Sequence, residues 1–300
     1  MRELVVISGK GGTGKTSVTA CFAGLARNSV ICDTDVDAAD LHLLLNPEVV
    51  ERHDFQGGQQ AVIDLEMCFQ CGLCLDLCRF DAISSEFKVN PLNCEGCGVC
   101  VDHCPVQTVY LQEKICGQWF ISHTRMGPLV HARLGIAEEN SGKLVTRVRQ
   151  EAKKLAKNDG AEMIITDGPP GVGCPVIASL GGATAVVVVS EPSLSGLHDM
   201  LRVVELAKGF RIPVMVCVNK YDLNPEQGDQ IIAAAKEHDL NFLGTIPYDP
   251  LFTKAMIERQ TIIEFAPDSQ ASQAIESIWD RMIKSPEMNV LTELVLPDET

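Results

Sequence analysis

Apolar residues in this chain gather in short runs that alternate with longer stretches of helical periodicity. Continuous apolar runs are typical of strands buried on both faces of a parallel sheet. In chain order the strand runs are Leu4–Ile7, Val30–Cys32, Met163–Asp167, Ala185–Val189 and Val214–Val218, and helical stretches lie at residues 17–27, 198–209 and 228–238. The alternation predicts an α/β fold, doubly wound around a mostly parallel sheet.

A glycine-rich loop joins the first strand run to the first helical stretch. Residues 8–16 read Ser-Gly-Lys-Gly-Gly-Thr-Gly-Lys-Thr and fit the Walker A spacing. In this motif backbone N–H groups surround phosphates, Lys15 reaches the β- and γ-phosphates, and the Thr16 hydroxyl holds Mg²⁺. The candidate nucleotide-binding residues are Gly11, Gly12, Thr13, Gly14, Lys15, Thr16 and Ser17.

Carboxylates follow two other strand runs. Asp33, Asp35 and Asp40 come after the second run, and Asp167 ends the run that begins at Met163. Acids at strand ends beside a phosphate loop can hold magnesium or orient water. We expect Asp167 to reach Mg²⁺ through water or through the Thr16 hydroxyl, while helix capping remains an alternative for Asp40.

The 13 cysteines form two populations. Eight lie between Cys68 and Cys104, and the rest are scattered singly: Cys21, Cys32, Cys116, Cys174 and Cys217. The chain shows neither a secretory signal pattern nor an apolar run of membrane-spanning length. We therefore expect a cytoplasmic protein, in which reduced thiols bind metal more often than they form disulfides.

The eight clustered cysteines repeat one spacing, C-x2-C-x2-C-x3-C. This is the bacterial ferredoxin pattern for two [4Fe-4S] clusters, in which the fourth cysteine of each run ligates the other cluster. We expect that fourth cysteine to begin a short helix. One cluster would use Cys68, Cys71, Cys74 and Cys104, and the other Cys94, Cys97, Cys100 and Cys78. Zinc sites are the alternative, although zinc knuckles usually have two cysteine pairs with a longer spacer.

The charge balance limits the partners. With 25 Lys and Arg against 40 Asp and Glu the formal charge is -15, which disfavours nucleic acid and anionic membranes. Residues 60–113 contain eight acids and only two bases. A protein partner with a basic docking face is therefore expected there, with a merely solvated acidic surface as the alternative.

Lys10, a second lysine inside the phosphate loop, is the mark of deviant Walker A ATPases. With the motifs above, the sequence resembles P-loop ATPases of the MinD/ParA/Mrp superfamily that carry an inserted ferredoxin domain of small α+β, bacterial 2[4Fe-4S] type. The resemblance implies an ATPase, active as a homodimer or as a heterodimer with a related ATPase. It also implies that Lys10 reaches the partner's ATP, that Lys15 and Asp35 are catalytic, and that Asp35 positions the attacking water.

The resemblance also bears on the base and on domain limits. Residues 219–222 imitate the guanine-reading N-K-x-D sequence and alone would favour GTP. In MinD-like ATPases, however, an Asn matching Asn219 contacts adenine. Residues 246–249, which include Pro247, resemble the next base-site segment of these ATPases, so the resemblance favours ATP.

The ATPase domain would comprise residues 1–59 and 114–300, and the ferredoxin domain would comprise residues 60–113.

Cys174 is a candidate ligand for a third cluster. It follows Asp167 by seven residues, the spacing at which the nitrogenase iron protein places one ligand of a cluster that bridges two subunits. The region of the second ligand, residues 140–142, has no cysteine; Cys116 is the nearest substitute. A lone cysteine is more often a small buried residue.

Three functions fit the sequence. The first is an ATP- and Mg²⁺-dependent dimer switch that controls electron transfer through two [4Fe-4S] clusters to a redox or iron-sulfur protein. The second is an ATP-dependent carrier or assembly factor for iron-sulfur clusters. The third is a non-redox spatial organiser of MinD/ParA type in which the clusters are structural, although the sequence of residues 293–300 lacks the basic amphipathic pattern expected of a MinD-type anchor.

Overall fold

Strands and helices alternate along most of the chain, as its apolar runs predict. A computed structural model describes residues 1–135 and 141–289. The strands in these ranges are β1 (Arg2–Ser8), β2 (Ser29–Asp33), β3 (Glu48–Ile63), β4 (Val109–Thr124), β5 (Gly127–Leu134), β6 (Met163–Pro170), β7 (Ala185–Ser190), β8 (Val214–Asn219) and β9 (Asn241–Ile246). The C-terminal segment weighed above as an anchor, and residue 140, lie outside the described residues.

The helices lie mainly between the strands. They are α1 (Lys15–Leu25), α2 (Leu41–Leu45), α3 (Leu73–Leu77), α4 (Val99–Asp102), α5 (Ser141–Asp159), α6 (Cys174–Leu180), α7 (Leu194–Gly209), α8 (Pro225–Glu237), α9 (Leu251–Ile257), α10 (Ile262–Phe265) and α11 (Gln270–Ile283), with 3-10 turns at Tyr221–Leu223 and Pro286–Asn289. Over the described part of the chain, no helix has both the length and the apolar character to cross a bilayer.

One sheet contains all the described strands, in the order β3-β4-β5-β2-β6-β1-β7-β8-β9. From β5 to β9 neighbouring strands run parallel, whereas β4 pairs antiparallel with both β3 and β5. Leu4 and Val6 of β1 contact a core that includes α1 and α11, whereas Val5 and Ile7 contact a core beside α7 and α8. Helices therefore cover both faces, which confirms the predicted α/β fold with a mostly parallel sheet.

Strands β3 and β4 form a long antiparallel ribbon. Pairing runs from Glu48 with His123 to Ile63 with Val109, but only residues 117–124 of β4 also pair with β5. The cysteine segment, residues 64–108, connects the two strands at the free end of this ribbon. Both expected domain limits, at 59/60 and 113/114, fall inside the ribbon, where Gln59 pairs with Glu113.

The cysteine segment contains two structural halves related by an offset of 26 residues. The first half holds the run from Cys68 to Cys78, and the second half holds the run from Cys94 to Cys104. The bridge between Ile83 and Val89 in one half matches the pairing of Val109 with Ile63 in the other. Each half has a short helix, α3 or α4, that follows a glycine in the left-handed region: Gly72 at φ 84° or Gly98 at φ 79°. The repeat of spacing in the sequence is therefore a repeat of backbone structure.

One expectation for this segment is wrong. The fourth cysteine of each run does not begin a short helix, because α3 ends at Leu77, before Cys78, and α4 ends at Asp102, before Cys104. The reason is the glycine after the second cysteine, whose left-handed conformation starts the helix early and places the third cysteine inside it.

Helix α2 is attached to the ribbon at both of its strands. Only two residues, Asn46 and Pro47, separate α2 from β3. Arg125, in the turn between β4 and β5, donates to the carbonyls of Leu45 at 3.0 Å and Leu44 at 3.1 Å. The same guanidinium donates to both carboxylate oxygens of Glu264, at 2.6 and 2.7 Å. Arg125 therefore caps the C-terminus of α2 and links it to the ribbon and to α10.

Replacement of Glu264 by Gln tests this link. Partial burial would raise the pKa of Glu264, but hydrogen bonds from Arg125 and Thr261 outweigh it and lower the pKa to about 2. Because the folded-state pKa is lowered, the charged carboxylate stabilises the fold above pH 4.5 or so, and this contribution disappears as the pH falls towards 2. We expect Glu264→Gln to lower the free energy of unfolding by about 1 kcal/mol at pH 7, after allowance for solvent screening of the partly exposed pair.

The measurement is urea unfolding of both proteins between pH 7 and pH 3. Glu276→Gln is the matched control, because Glu276 is exposed on α11. A difference between Glu264→Gln and the native chain that is the same at every pH would contradict the assignment.

Candidate functional site

The phosphate loop lies between the end of β1 and the start of α1. Gly14 caps α1 with φ 88°, and Gly12 has φ 81°, so both adopt a backbone that favours glycine. The loop lines a pocket at the N-terminus of α1, where N–H groups and the helix dipole favour phosphate. The lining residues are Ser8, Gly11, Gly12, Thr13, Gly14, Lys15, Thr16, Ser17, Asp35, Ala38, Asp40, Leu43, Leu44, Pro170 and Met256.

Asp167 connects the lysine and the hydroxyl of the loop. Its carboxylate accepts hydrogen bonds from Lys15 Nζ at 2.9 Å, from Thr16 Oγ1 at 2.8 Å and from Thr19 Oγ1 at 2.9 Å. Lys15 Nζ also lies 3.6 Å from Asp35. Burial alone would lower the pKa of Lys15, but attraction to Asp167 and Asp35 outweighs it, so the pKa is raised. The structure thus brings together the sequence-predicted lysine, threonine and carboxylates.

Asp33 and Asp35 add two further carboxylates beside Asp167. Burial, followed by repulsion from Asp167, raises the pKa of Asp33 well above its usual value. One oxygen of Asp33 accepts from the Asp35 N–H at 3.1 Å, while Oδ2 is buried without a hydrogen-bond partner among the described residues. Burial also raises the pKa of Asp35. Oxygen donors of this kind fit Mg²⁺, which would favour their charged form.

A second pocket adjoins the loop on the side of β8 and β9. Its lining residues are Gly14, Ser17, Asn219, Lys220, Pro247, Tyr248, Asp249, Phe252, Thr253 and Met256. Asn219 and Pro247 therefore lie together, where the expected base site should be. Asn219 Nδ2 also donates to the Thr13 carbonyl at 2.7 Å, a contribution to the loop's shape that the sequence did not reveal.

Asp222 does not face this second pocket as a guanine reader would. Its carboxylate accepts a hydrogen bond from the backbone N–H of Tyr248 at 2.6 Å. Asp222 therefore fixes the segment that follows β9.

Lys10 lies against its own chain. Its Nζ is 2.6 Å from Glu191 Oε1 and donates to Ser195 Oγ at 2.8 Å. About a third of the Lys10 side chain is exposed, at 31%. The sequence did not identify Glu191 and Ser195, because they are distant from Lys10 along the chain.

Asp40 lines the phosphate pocket and precedes α2, but its side chain makes no capping hydrogen bond.

The four cysteines assigned to one cluster line a single cavity. The residues around this cavity are Cys68, Phe69, Gln70, Cys71, Leu73, Cys74, Phe87, Cys104, Pro105, Val106, Thr108 and Val109. In the other half, burial followed by repulsion from Cys94 and Cys97 raises the pKa of Cys100, so these three thiols are neighbours. Cys78 packs in the apolar cluster that both halves share.

Backbone N–H groups point at several of these sulfurs. The Thr108 N–H donates to Cys104 Sγ at 3.3 Å, and the Ala82 N–H donates to Cys78 Sγ at 3.4 Å. These two hydrogen bonds occupy equivalent positions in the two halves, related by the offset of 26 residues. Hydrogen bonds from Thr108 overcome the effect of burial and lower the pKa of Cys104 to about 7. Within residues 1–135 and 141–289, no three His, Cys, Asp or Glu side chains converge on one point as a single metal ion requires. A four-iron cluster is larger and takes each thiolate at a different corner.

The remaining cysteines differ in exposure. Cys174 is exposed at the first turn of α6, beside Gly142, whose Cβ position would lie 3.5 Å from the Cys174 Cβ. Cys116 is buried in the core, so it does not share that surface. Cys21, Cys32 and Cys217 are also buried.

Comparison with known proteins gives relatives over nearly the whole chain. The family described as the CobQ/CobB/MinD/ParA nucleotide binding domain matches residues 4–262. The uncharacterized protein MJ0578 of Methanocaldococcus jannaschii is 32% identical over 290 residues, which cover 93% of this chain and 96% of that protein. The uncharacterized ATP-binding protein MJ0547 of the same organism is 22% identical, and the match covers 93% and 87% of the two chains.

Solved structures share the fold at lower identity. The septum site-determining protein MinD of Pyrococcus horikoshii OT3, complexed with Mg-ADP, matches with a TM-score of 0.59 and 19% identity, over 94% of this chain and 96% of that one. A chain of the MinC:MinD cell division protein complex of Aquifex aeolicus matches with a TM-score of 0.57 and 17% identity, over 95% and 97%.

Two glycines of the phosphate loop offer a matched test of its geometry. A Cβ on Gly14 would collide with Asn219 Nδ2, and the positive φ adds strain, whereas a Cβ on Gly11 meets nothing within 4 Å. We expect Gly14→Ala to destabilise the protein by about 2 kcal/mol and to lower its Tm by about 4 °C or more, because strain adds to a lost hydrogen bond.

Gly11→Ala should change stability by no more than about 0.5 kcal/mol. Thermal unfolding followed by circular dichroism without nucleotide measures both variants. Equal losses in the two proteins would show that Gly14 does not have the special position described.

Proposed function

Because the chain belongs to the CobQ/CobB/MinD/ParA nucleotide-binding family, we propose that it is an ATP- and Mg²⁺-dependent dimer switch coupled to electron transfer through two [4Fe-4S] clusters. The observation that carries this proposal is a continuous connection. The helix that lines the phosphate pocket, α2, leads directly into the ribbon that ends in the eight clustered cysteines. A nucleotide and a redox site would thus act on one rigid element.

The ATPase step would use the charged groups around Asp167. Lys15 would bind the β- and γ-phosphates, and Thr16 and Asp167 would hold Mg²⁺ directly or through water. Asp33 lies next to them, and its Oδ2 has no hydrogen-bond partner within the described part of the chain. Asp35 would orient the attacking water, and the burial that raises its pKa makes it a stronger proton acceptor.

The base site favours ATP over GTP. Guanine recognition by an N-K-x-D sequence uses the carboxylate at the position of Asp222. Asp222 is not among the residues that line the second pocket, and its Oδ1 accepts a hydrogen bond from the Tyr248 N–H. Asn219 and Pro247, by contrast, line the second pocket next to Gly14, where they could contact adenine.

The eight clustered cysteines fit two [4Fe-4S] clusters, and residues 60–113 would form the ferredoxin domain. Support comes from the shared cavity of Cys68, Cys71, Cys74 and Cys104, and from the repeat that gives Cys94, Cys97, Cys100 and Cys78 equivalent positions. Such clusters supply one-electron transfer. The chain's own part is to donate backbone hydrogen bonds to the sulfurs, which tune the reduction potential.

Coupling between the two sites would pass through α2. Leu43 and Leu44 line the phosphate pocket, and the Leu44 carbonyl accepts a hydrogen bond from Arg125 in the turn after β4. A nucleotide that displaces α2 therefore pulls on β3 through Asn46 and Pro47, and on β4 through Arg125. Such a shift of a packed helix is a common form of conformational switch.

Two alternatives remain. An ATP-dependent carrier would give its clusters to another protein, while a spatial organiser would keep them as structural elements. The spatial organiser has support from the fold, since MinD and a ParA family ATPase are among the structural neighbours of this chain. Cys174 as a ligand of a third, subunit-bridging cluster remains a prediction, supported only by its exposure at the start of α6.

The first test is an anaerobic preparation examined by iron quantitation, EPR and redox titration with ADP or ATP and Mg²⁺. We expect about eight iron atoms per chain, and a shift of about 60 mV between the two nucleotides, a tenfold change for a one-electron couple. Lys15→Ala should keep the iron and lose the shift, because it cannot bind the phosphates.

Other results of this test identify the alternatives. Loss of iron to an added apo-ferredoxin upon ATP addition would favour the carrier. Retained iron with potentials and partner binding insensitive to nucleotide would favour the spatial organiser and contradict the proposal.

The second test concerns the dimer. Lys10 lies on the surface against Glu191 and would have to turn away to reach a partner's nucleotide. We expect Lys10→Ala to bind ATP but to remain monomeric in light scattering with ATP and Mg²⁺, whereas the control Lys236→Ala, altered at an exposed position of α8, forms dimers. Dimers of Lys10→Ala equal to those of the native chain would overturn this role.

A further inference from the structure

The two halves of the cysteine segment expose different side chains. In the first half Met67 is 70% exposed and Phe69 is 58% exposed. The equivalent residues of the second half, at the offset of 26, are the polar Asn93 and Glu95. The second half also exposes Leu92, at 60%, and Val99, at 37%. The apolar pair that flanks Cys68 nevertheless has no counterpart at Cys94, and an exposed apolar pair of this kind indicates a contact surface.

The two halves also differ in their distance from the ribbon. Gly96 of the second half lies so close to the Gln59 carbonyl that a Cβ there would collide with it. Lys114 Nζ donates to the Pro91 carbonyl at 2.7 Å, and the Ala61 N–H points at Cys94 Sγ. The loop of the second half therefore lies along the ribbon. The first-half loop has an exposed glutamine, Gln70, at the position of Gly96.

Three exposed apolar residues belong to the wall of the cysteine cavity. Phe69, Leu73 and Val106 line it together with Cys68, Cys71, Cys74 and Cys104, and they are 58%, 39% and 45% exposed. We define the first-half surface as Met67, Phe69 and Leu73 of the first half together with Val106, which follows Cys104 and lines the same cavity. A protein in contact with this surface would be separated from the four thiolates by one layer of side chains.

The charges around the surface select the partner. Residues 64–78 contain three acids, Asp64, Glu66 and Asp76, and no base. All three are exposed. Four thiolates around a four-iron centre would add further negative charge. A partner with an apolar centre and a basic rim would be complementary to this surface, and a membrane with anionic lipids would be repelled.

We propose that a one-electron carrier protein with an apolar contact face ringed by basic side chains docks on the first-half surface. This rests on the proposed function. One electron passes between the carrier and the site of Cys68, Cys71, Cys74 and Cys104, so that one is oxidised and the other reduced, and no covalent bond changes. The second site, formed by Cys94, Cys97, Cys100 and Cys78, then connects this first cysteine site with the ribbon. The first half is the entry and exit point for electrons.

The test uses the full chain with its iron and ferric cytochrome c as a basic one-electron carrier. Phe69→Gln removes the apolar contact, and Glu95→Gln is the matched control at the equivalent position of the other half. Binding is measured with zinc-substituted cytochrome c, which cannot accept the electron, and transfer is measured by stopped flow. We expect Phe69→Gln to weaken binding about tenfold, as for a central aromatic contact, and Glu95→Gln to change it less than about threefold.

Each outcome has one meaning. Equal effects in the two variants, or a larger effect of Glu95→Gln, would overturn the docking surface. So would binding of the native chain, but not of Phe69→Gln, to phosphatidylcholine vesicles, because the surface would then serve a membrane. A chain that holds no iron but binds cytochrome c through Phe69 would contradict the proposed function and retain the docking surface. Iron content near that of the native protein, with an unchanged EPR spectrum, shows that a variant is folded.

Discussion

The backbone pairing of β3 with β4 is the constraint on which the arrangement of the two sites depends. Its pairing continues from the edge of the main sheet to the first residues of the cysteine segment, with register shifts at residues 49–51 and 55–58. A loop or flexible linker would let the segment move independently of the nucleotide pocket. A paired ribbon would instead pass a displacement at its base to its end, because backbone hydrogen bonds join its two strands on both sides of these shifts. Its base is fixed by Arg125, which is bound to both α2 and Glu264.

The nucleotide pocket is organised by a second constraint, the crowding of charge around Asp167. Three carboxylates and one ammonium group lie close together there. Burial raises the pKa of Asp33 and of Asp35, and attraction to the carboxylates raises the pKa of Lys15 in spite of its burial. Phosphates and Mg²⁺ would redistribute these contacts. Because α2 follows Asp35 within a few residues, that redistribution has a short route to the ribbon. Each step of the proposed link between the nucleotide pocket and the cysteines therefore joins neighbouring parts of the structure.

Sequence reasoning predicted the parts that depend on neighbouring residues. The phosphate loop, the strand runs and the paired cysteine spacings are short motifs whose geometry is set within a few residues, and the α/β fold is confirmed. The ribbon was missed, because Gln56 to Gln59 resemble a linker and their pairing with residues 113–115 is distant in sequence. The contacts of Lys10 with Glu191 and of Asp222 with Tyr248 were missed for the same reason. The helix position in each cysteine run was wrong, since the cysteine spacing does not show that Gly72 and Gly98 adopt the left-handed conformation that starts each helix early.

The central claim is that nucleotide binding changes the ribbon. Hydrogen–deuterium exchange of the iron-loaded protein, with and without ATP and Mg²⁺, tests it most directly, with Lys15→Ala as the nucleotide-free reference. The account predicts altered exchange in residues 41–63 and 109–125 of the native chain, and none in the variant. Altered exchange confined to residues 8–17 and the base pocket, with the ribbon unchanged, would contradict it.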